Sequence, residues 1–461
     1  MVIEQEGNHE RATKSGHSLK FRVFRAGGWV LIGFIVGQAF RLVGNLILTR
    51  LLTPDAFGIM AMAMVVQGII SLCSDIGLQQ TIIQSRNAGN PSFLNTAWTL
   101  SIFRNFLIWS TCAIIALGLH FAGLWGWLPL GSVYANPILP AVIAVTSLSA
   151  IIQGFQSLNI CFANRILDMK RITLIDLYSQ FCGISLMIFF GWLTHSVWSL
   201  VVSNLVVTAV TTILTHLWLQ GPRSRIEWDW NVLHELFHFG KWIWLSSAIN
   251  ILATSSDRLL LGGWIGATGL GYYSIANNLA SVLDGIGARL FSSVSLPTMS
   301  EVARSQPDRV PELFFRMRWA ADAAYVGSAG FLFGSAQGII GLLYDARYAP
   351  AGQMLQWLSF GLLFTRYGLA MNTYIALGRP NYLSVINLTK LVSLFSLVPA
   401  LFYLFGVQGA ILGIAFHMAP STLLVFWFNQ KLGLNNIRLE LAVLVMWPLG
   451  WLAGSFVGAL L

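Results

Sequence analysis

Residues 28–48 read GWVLIGFIVGQAFRLVGNLIL. At 1.5 Å rise per residue this run is long enough to cross the roughly 30 Å hydrocarbon core of a bilayer as a helix. Three polar residues interrupt it, Gln38, Arg41 and Asn45. Their i, i+3, i+7 spacing puts them on one helical face. A charge at the bilayer centre costs at least about 2.5–3.5 kcal/mol, so that face must turn toward protein or a watery cavity. The stretch therefore reads as a membrane helix with a polar stripe directed inward.

The same pattern continues along the chain. Apolar runs bounded by charge, Pro or Gly predict spans at 57–76, 94–117, 138–158, 172–192 and 197–219, then at 240–261, 270–294, 319–343, 353–376, 383–405 and 409–428, with a possible thirteenth at 441–461. Of 461 residues, 56% are hydrophobic and 10% charged, against about 25% charged in an ordinary soluble domain. Mean hydropathy is +0.69. These values exclude a water-soluble fold, and the long apolar runs argue against a transmembrane barrel, whose lumen-facing positions are polar. The fold class is all-α, a polytopic membrane protein of about 12 to 13 helices. Cys73, Cys112, Cys161 and Cys182 lie in or beside apolar runs without metal spacing and read as small core residues. Residues 1–25 are too polar for a cleavable signal, so the first span is expected to be retained.

Orientation follows from Lys and Arg between spans. One side carries the N-terminal arm, Arg86, the group Arg165, Lys170 and Arg171, the linker residues Arg223, Arg225 and Lys241, the loop charges Arg304, Arg309, Arg316 and Arg318, then Arg379, Lys431 and Arg438. The other side carries Arg50 and Arg347. The N-terminus is thus expected in the cytoplasm, and the net charge of +9 needs no nucleic-acid partner. An offset of 213 pairs Gly27 and Trp29 with Gly240 and Trp242, and Gly58 and Ala63 with Gly271 and Ala276. This predicts two parallel six-helix lobes, 27–219 and 240–430, joined by a linker at 220–239, with an arm at 1–26 and a C-terminal segment at 431–461.

Six basic residues fall inside predicted spans: Arg41, Arg104, Arg258, Arg289, Arg366 and Lys390. Near span ends such side chains snorkel to headgroups, the plainer reading for Arg104, Arg289 and Lys390. Further stripes comprise Ser247, Asn250, Thr254 and Asp257, then Gln67, Ser71 and Asp75, then Asn277, Ser281 and Asp284. Stripes at matching positions of both halves predict a central aqueous cavity. Asp257 follows the plain reading of a structural ion pair, or it joins Asp284 and Asp75 as a carboxylate that takes up H⁺ or Na⁺ in a low-dielectric cavity. No Walker loop, zinc-protease motif or paired metal spacing occurs. No enzymatic activity, catalytic residue or bound cofactor is expected.

Residues 51–58 (LLTPDAFG), 74–78 (SDIGL) and 82–84 (IIQ), with 257–262 (DRLLLG) and 270–276 (LGYYSIA) in the second half, resemble the polysaccharide transporter family, which includes O-antigen and exopolysaccharide flippases. The resemblance implies the V-shaped, alternating-access fold of multidrug and toxin extrusion transporters. It implies an undecaprenyl-pyrophosphate-linked oligosaccharide as substrate, moved across the bacterial cytoplasmic membrane, with a polymerase and a chain-length regulator as partners. Arg41, Arg104, Arg258 and Arg366 would then meet phosphate oxygens with guanidinium forks, and Gln38, Asn45, Asn250 and Asn277 would meet sugar hydroxyls. Alternatives on the same fold are a lipid II flippase and a cation-coupled multidrug antiporter. A non-transporting glycan-assembly scaffold is a third.

Overall fold

The computed structural model describes residues 2–74, 78, 82, 91–165, 168–222, 224–230, 232–234, 255–379 and 381–461. Among them the chain is predominantly helical, without a strand. The first half contributes α1 (Val2–Leu51), α2 (Pro54–Cys73), α3 (Pro91–Leu124), α4 (Leu139–Thr146), α5 (Leu148–Gly154), α6 (Asn159–Arg165), α7 (Met169–Thr194) and α8 (Trp198–Trp218). After helical residues 255–264, the second half contributes α9 (Gly266–Ser305), α10 (Val310–Leu343), α11 (Pro350–Leu358), α12 (Leu362–Thr365), α13 (Gly368–Ala376), α14 (Asn381–Phe416) and α15 (Ala419–Lys431). Two C-terminal helices follow, α16 (Ile437–Leu444) and α17 (Met446–Leu460). Among the described residues, 8 helical stretches are long and apolar enough to cross a membrane, including Ile437–Leu460. The thirteenth span anticipated near 441–461 is therefore helical and of membrane length.

The chain forms two compact units. One comprises Met1–Leu51, Val66–His120 and Pro140–Ala248, the other Leu52–Val65, Phe121–Leu139 and Ile249–Leu461. Within the second unit, the start of α2 crosses the start of α9 at contact distance. A Cβ on Gly58 would overlap the Ala267 carbonyl oxygen, and one on Gly271 would overlap the Pro54 carbonyl oxygen. The offset of 213 carries Gly58 to Gly271 and Pro54 to Ala267. The contact is thus reciprocal, each glycine meeting the repeat-equivalent of its own neighbour. It is reinforced by Tyr348, fully buried, whose hydroxyl donates to the Leu52 carbonyl at 2.9 Å, and by Tyr134, which donates to the Leu259 carbonyl at 3.0 Å.

Two expected spans are broken. In place of one helix over 138–158, the chain forms α4 and α5 and then breaks before α6, and in place of one over 353–376 it forms α11, α12 and α13. Backbone groups freed inside a membrane need protein partners, and side chains from other helices supply them. Trp98 Nε1 donates to the Gln156 carbonyl at 3.1 Å, the Ser157 N–H donates to Thr215 Oγ1 at 3.4 Å, and His216 Nε2 lies 2.8 Å from the Phe155 carbonyl. These partners are remote in sequence, which is why an apolar run alone predicts a continuous helix. Gly406, within α14, takes φ 64° and ψ −145°. The chain reverses there, bringing Gly413 against Val398, so the spans expected at 383–405 and 409–428 lie on either side of this turn, the second continuing from the end of α14 into α15.

The C-terminal helices are joined to α10 by two kinds of contact. Along the seam the backbones touch. A Cβ on Gly330 would overlap the Trp447 carbonyl, one on Gly454 the Phe331 carbonyl and one on Gly450 the Gly327 carbonyl, while Gly338 would meet the Gly458 oxygen at 2.7 Å. Small residues permit this approach, which maximises van der Waals contact where lipid supplies no hydrophobic drive between helices. At its end lies a buried ionic cluster. Arg318 Nε is 3.1 Å from Asp322 Oδ2, and its Nη2 pairs with Glu440 of α16. Arg366 reaches Asp322 at 3.5 Å and Glu440 at 2.9 Å. The Tyr367 hydroxyl donates to Glu440 at 3.1 Å, and its ring lies 4.7 and 4.8 Å from the Arg318 and Arg366 guanidinium carbons. Two cations and two anions cancel. Arg318, read from sequence as a cytoplasmic loop charge, is instead 2% exposed within α10, because Asp322 one turn away and Glu440 on a distant helix neutralise it.

Removing one member of a buried pair costs about 3–5 kcal/mol, since it strands the opposite charge. Glu440→Ala should therefore lower the thermal unfolding midpoint of the detergent-purified protein, and adding Arg318→Met should recover part of the loss. Gly454→Leu should destabilise through overpacking by about 1–3 kcal/mol or more. Gly341→Leu, where nothing lies within 4 Å, should leave the midpoint unchanged.

Candidate functional site

In the first unit the α1 stripe is in place. Arg41 Nε donates to Gln38 Oε1 at 2.8 Å, with Arg41 exposed and Gln38 and Asn45 half-buried. The face is oriented by packing against α7, where Gly33 lies under Thr173 and Gly37 under Gln180. On α2, Gln67 donates to Ser149 Oγ at 2.8 Å, tying that stripe to α5. Asp75 and Asn250 lie outside the described residues.

Arg104 borders a polar cavity of about 210 Å³, with Ser101 and Asn105 beside it on α3 and Gln153, Gln156 and Ser157 around the α5–α6 break. The break is what builds this site. It turns the end of α5 toward α3, where Gly154 packs against Asn105 and the Ile102 backbone, and aligns amide and hydroxyl side chains with one guanidinium. Sequence reading anticipated Arg104 but not Gln153, Gln156, Asn105 or Ser157, because the break that gathers them leaves no mark in hydropathy.

The second unit holds a separate polar region. A cavity of about 370 Å³ is bordered by Asp257, Tyr273, Asn277, Asp284, Thr365 and His417. Asp257 accepts a hydrogen bond from the Tyr273 hydroxyl, Tyr273 being fully buried. Tyr273, Asn277 and Asp284 share a face of α9. Asp284 and Thr365 also border an adjoining cavity of about 380 Å³, which adds Tyr325, Asn372 and Lys390. Lys390 acts electrostatically on Asp284. Asp257 and Asp284, both expected from sequence, thus share one cavity, and Lys390 faces the space beside them. Arg258 is half-buried on the helical segment that carries Asp257. Arg366 borders the second cavity, yet its guanidinium is held by Asp322 and Glu440. Arg318, Asp322 and Glu440 were not anticipated as a group. An Arg and an Asp at i, i+4 in an apolar run, and a lone Glu opening the last one, are the signals that point to them.

The structural likeness extends over nearly the whole chain. The lipid II flippase MurJ in its inward closed conformation superposes with a TM-score of 0.73 at 12% identity, covering 95% of this chain and 97% of that one. An inward-facing multidrug resistance transporter of the MATE family gives 0.65 at 15% identity, covering 86% and 94%. Among sequence relatives, the lipopolysaccharide biosynthesis protein WzxC of Escherichia coli K12 is 23% identical over 58% of this chain, which spans 52% of that protein. The amylovoran biosynthesis protein AmsL of Erwinia amylovora is 25% identical over 55% of this chain, which spans 66% of it. A putative O-antigen transporter of Shigella flexneri is 22% identical over 88% of this chain and 97% of its own length. The profile of one family, described as polysaccharide biosynthesis protein, matches residues 47–352. That match covers well over half of a polytopic helical chain with the fold of the lipid and drug exporters, and this chain belongs to the polysaccharide biosynthesis protein family.

Proposed function

We propose that this protein is a flippase that carries lipid-linked oligosaccharide units across the bacterial cytoplasmic membrane for surface polysaccharide assembly, with its N-terminus in the cytoplasm. The observation that carries the reading is the Arg104 cavity. A guanidinium presents planar, paired donors that match phosphate oxygens, and the surrounding amides and hydroxyls suit sugar hydroxyls, each able to donate and accept. Arg41, Gln38 and Asn45 extend the same chemistry along α1, and Asn277 and Arg258 offer it in the second unit. A pyrophosphate-linked sugar chain needs both kinds of contact. The work is translocation by alternating access, with no covalent step and no catalytic residue.

The Asp257 and Asp284 cavity takes the coupling role. A carboxylate in a low-dielectric cavity exchanges its charge for a bound proton or alkali cation at small cost, and a change of charge there biases one conformation over another. Lys390 beside Asp284 makes that balance responsive. A polymerase and a chain-length regulator would act on the product after it crosses.

Deleting the gene should cause lipid-linked oligosaccharide to accumulate on the cytoplasmic leaflet and surface polysaccharide to disappear. Unchanged surface polysaccharide without accumulation would refute the reading. A charged hydrogen bond contributes about 1.5–3 kcal/mol, or tenfold and more in affinity. Arg104→Ala and Arg41→Ala should therefore each reduce export by about tenfold or more at equal protein level, while Lys431→Ala leaves it intact. Asp284→Asn should slow export and flatten its dependence on the proton or sodium gradient.

A further inference from the structure

Residues 224–230 read SRIEWDW, with neither helix nor strand at 224–229 and a helical residue at Trp230. This stretch of the linker is fastened to the first unit at every second residue. The Arg225 N–H donates to Asn95 Oδ1 at 3.0 Å, and the Glu227 N–H donates to Thr99 Oγ1 at 3.1 Å. The Glu227 carboxylate accepts from Ser92 Oγ at 2.6 Å and from Asn95 Nδ2 at 2.9 Å. Those two donors hold its carboxyl below the usual glutamate range, so it stays charged. Further on, Leu233 is 4% exposed in a core with Phe93, Leu94 and Leu100 of α3.

Alternate residues, Arg225 and Glu227, carry the backbone ties to α3, and three others are left uncovered. Those others are Ile226, Trp228 and Trp230, exposed by 78%, 44% and 75%. The two indoles meet edge to face at 5.7 Å. Three large apolar side chains in a row, displayed by a backbone that cannot turn them away, form a surface with a purpose.

Its depth follows from what it is fastened to. α3 has 34 residues, about 50 Å of helix at 1.5 Å per residue, against a hydrocarbon core of about 30 Å. Its first turns therefore project to the headgroup level, and Ser92, Asn95 and Thr99 lie on them. The chain enters the linker from the end of α8 at Trp218, itself a membrane-length helix, where Trp218 packs edge to face on Tyr178 at 5.3 Å. Indole has an apolar body and one N–H donor, which suits the boundary between headgroups and acyl chains. Arg225, exposed beside Ile226, provides a cation at the height of lipid phosphates.

We infer that residues 225–230 form a membrane-surface strap, in which Ile226, Trp228 and Trp230 insert into the phospholipid interface while Glu227 locks the backbone to α3. The partner is a glycerophospholipid surface. The inference rests on the membrane reading of the chain and not on what it transports, so a failure of the export experiment leaves it standing.

The test uses the full-length chain, with its four native cysteines replaced by alanine, in vesicles of phosphatidylcholine and phosphatidylglycerol. An environment-sensitive fluorophore is attached to single cysteines at 226, 228 and 230, and at 225 and 234 for comparison. At the first three positions emission should shift to the blue and be lost to a nitroxide on carbon 5 of the acyl chain, with little loss to aqueous iodide. Positions 225 and 234 should show the reverse. Equal iodide quenching at all five positions would overturn the inference by placing the row in water. Protection from both quenchers would overturn it by showing a protein on this face. As a check without labels, Trp228→Phe with Trp230→Phe should remove part of the intrinsic tryptophan emission that brominated lipid quenches, and an unchanged quenched fraction would also overturn it. Glu227→Ala should reduce the contrast between the two sets of positions.

Discussion

A guanidinium within a membrane-spanning unit must bring its counter-charge with it, and in this protein half of the counter-charge comes from α16, far along the chain. Asp322 supplies one negative charge within α10. The second comes from Glu440 on α16, and without it Arg318 and Arg366 would share a single carboxylate at 2% and 7% exposure. An uncompensated buried charge is among the most costly defects a fold can carry. The last span is thereby an integral part of the second unit. The glycine seam between α10 and α17 follows from the same need. Glu440 reaches both guanidiniums because the helices that follow it lie backbone to backbone against α10, a distance that any larger side chain at Gly330 or Gly454 would forbid.

The same constraint explains what was legible in the sequence and what was not. Requirements that act along one helix leave a local record. The Gln38, Arg41 and Asn45 stripe, the membrane-length runs and the paired glycines at 58 and 271 could all be read from spacing alone, and the family resemblance rests on short segments close to those glycines. Requirements met across the fold leave little. Arg318 looks like a loop charge because its neighbours Arg309 and Arg316 are polar-end residues, whereas its identity as a core cation depends on Glu440, far along the chain. The breaks at 155–158 and around Arg366 are equally invisible to hydropathy. At 155–158 the freed carbonyls and amide are satisfied by Trp98, Thr215 and His216, side chains with no sequence relation to the break.

The internal repeat shows how one architecture can serve two ends. The offset of 213 that links Gly58 to Gly271 also carries Trp218, the last residue of α8, to Lys431, the last residue of α15. It carries Gln153, at the end of α5, to Arg366, at the end of α12. Both halves thus break the fourth of their expected spans within a few residues of this pair. In the first, the break presents a neutral amide to a cavity that also holds Arg104. In the second, the equivalent position bears a cation, and two carboxylates engage it. The second-unit guanidinium is held by protein carboxylates, whereas the first-unit cavity gathers one guanidinium with amides and hydroxyls. Under the proposed function, the first-unit break would serve recognition of a sugar and phosphate headgroup, and the second-unit break would lend rigidity beside the Asp284 and Lys390 cavity. The proposed coupling would need such rigidity: a change of charge on Asp284 would drive a conformational change only if the walls around it did not relax to absorb it.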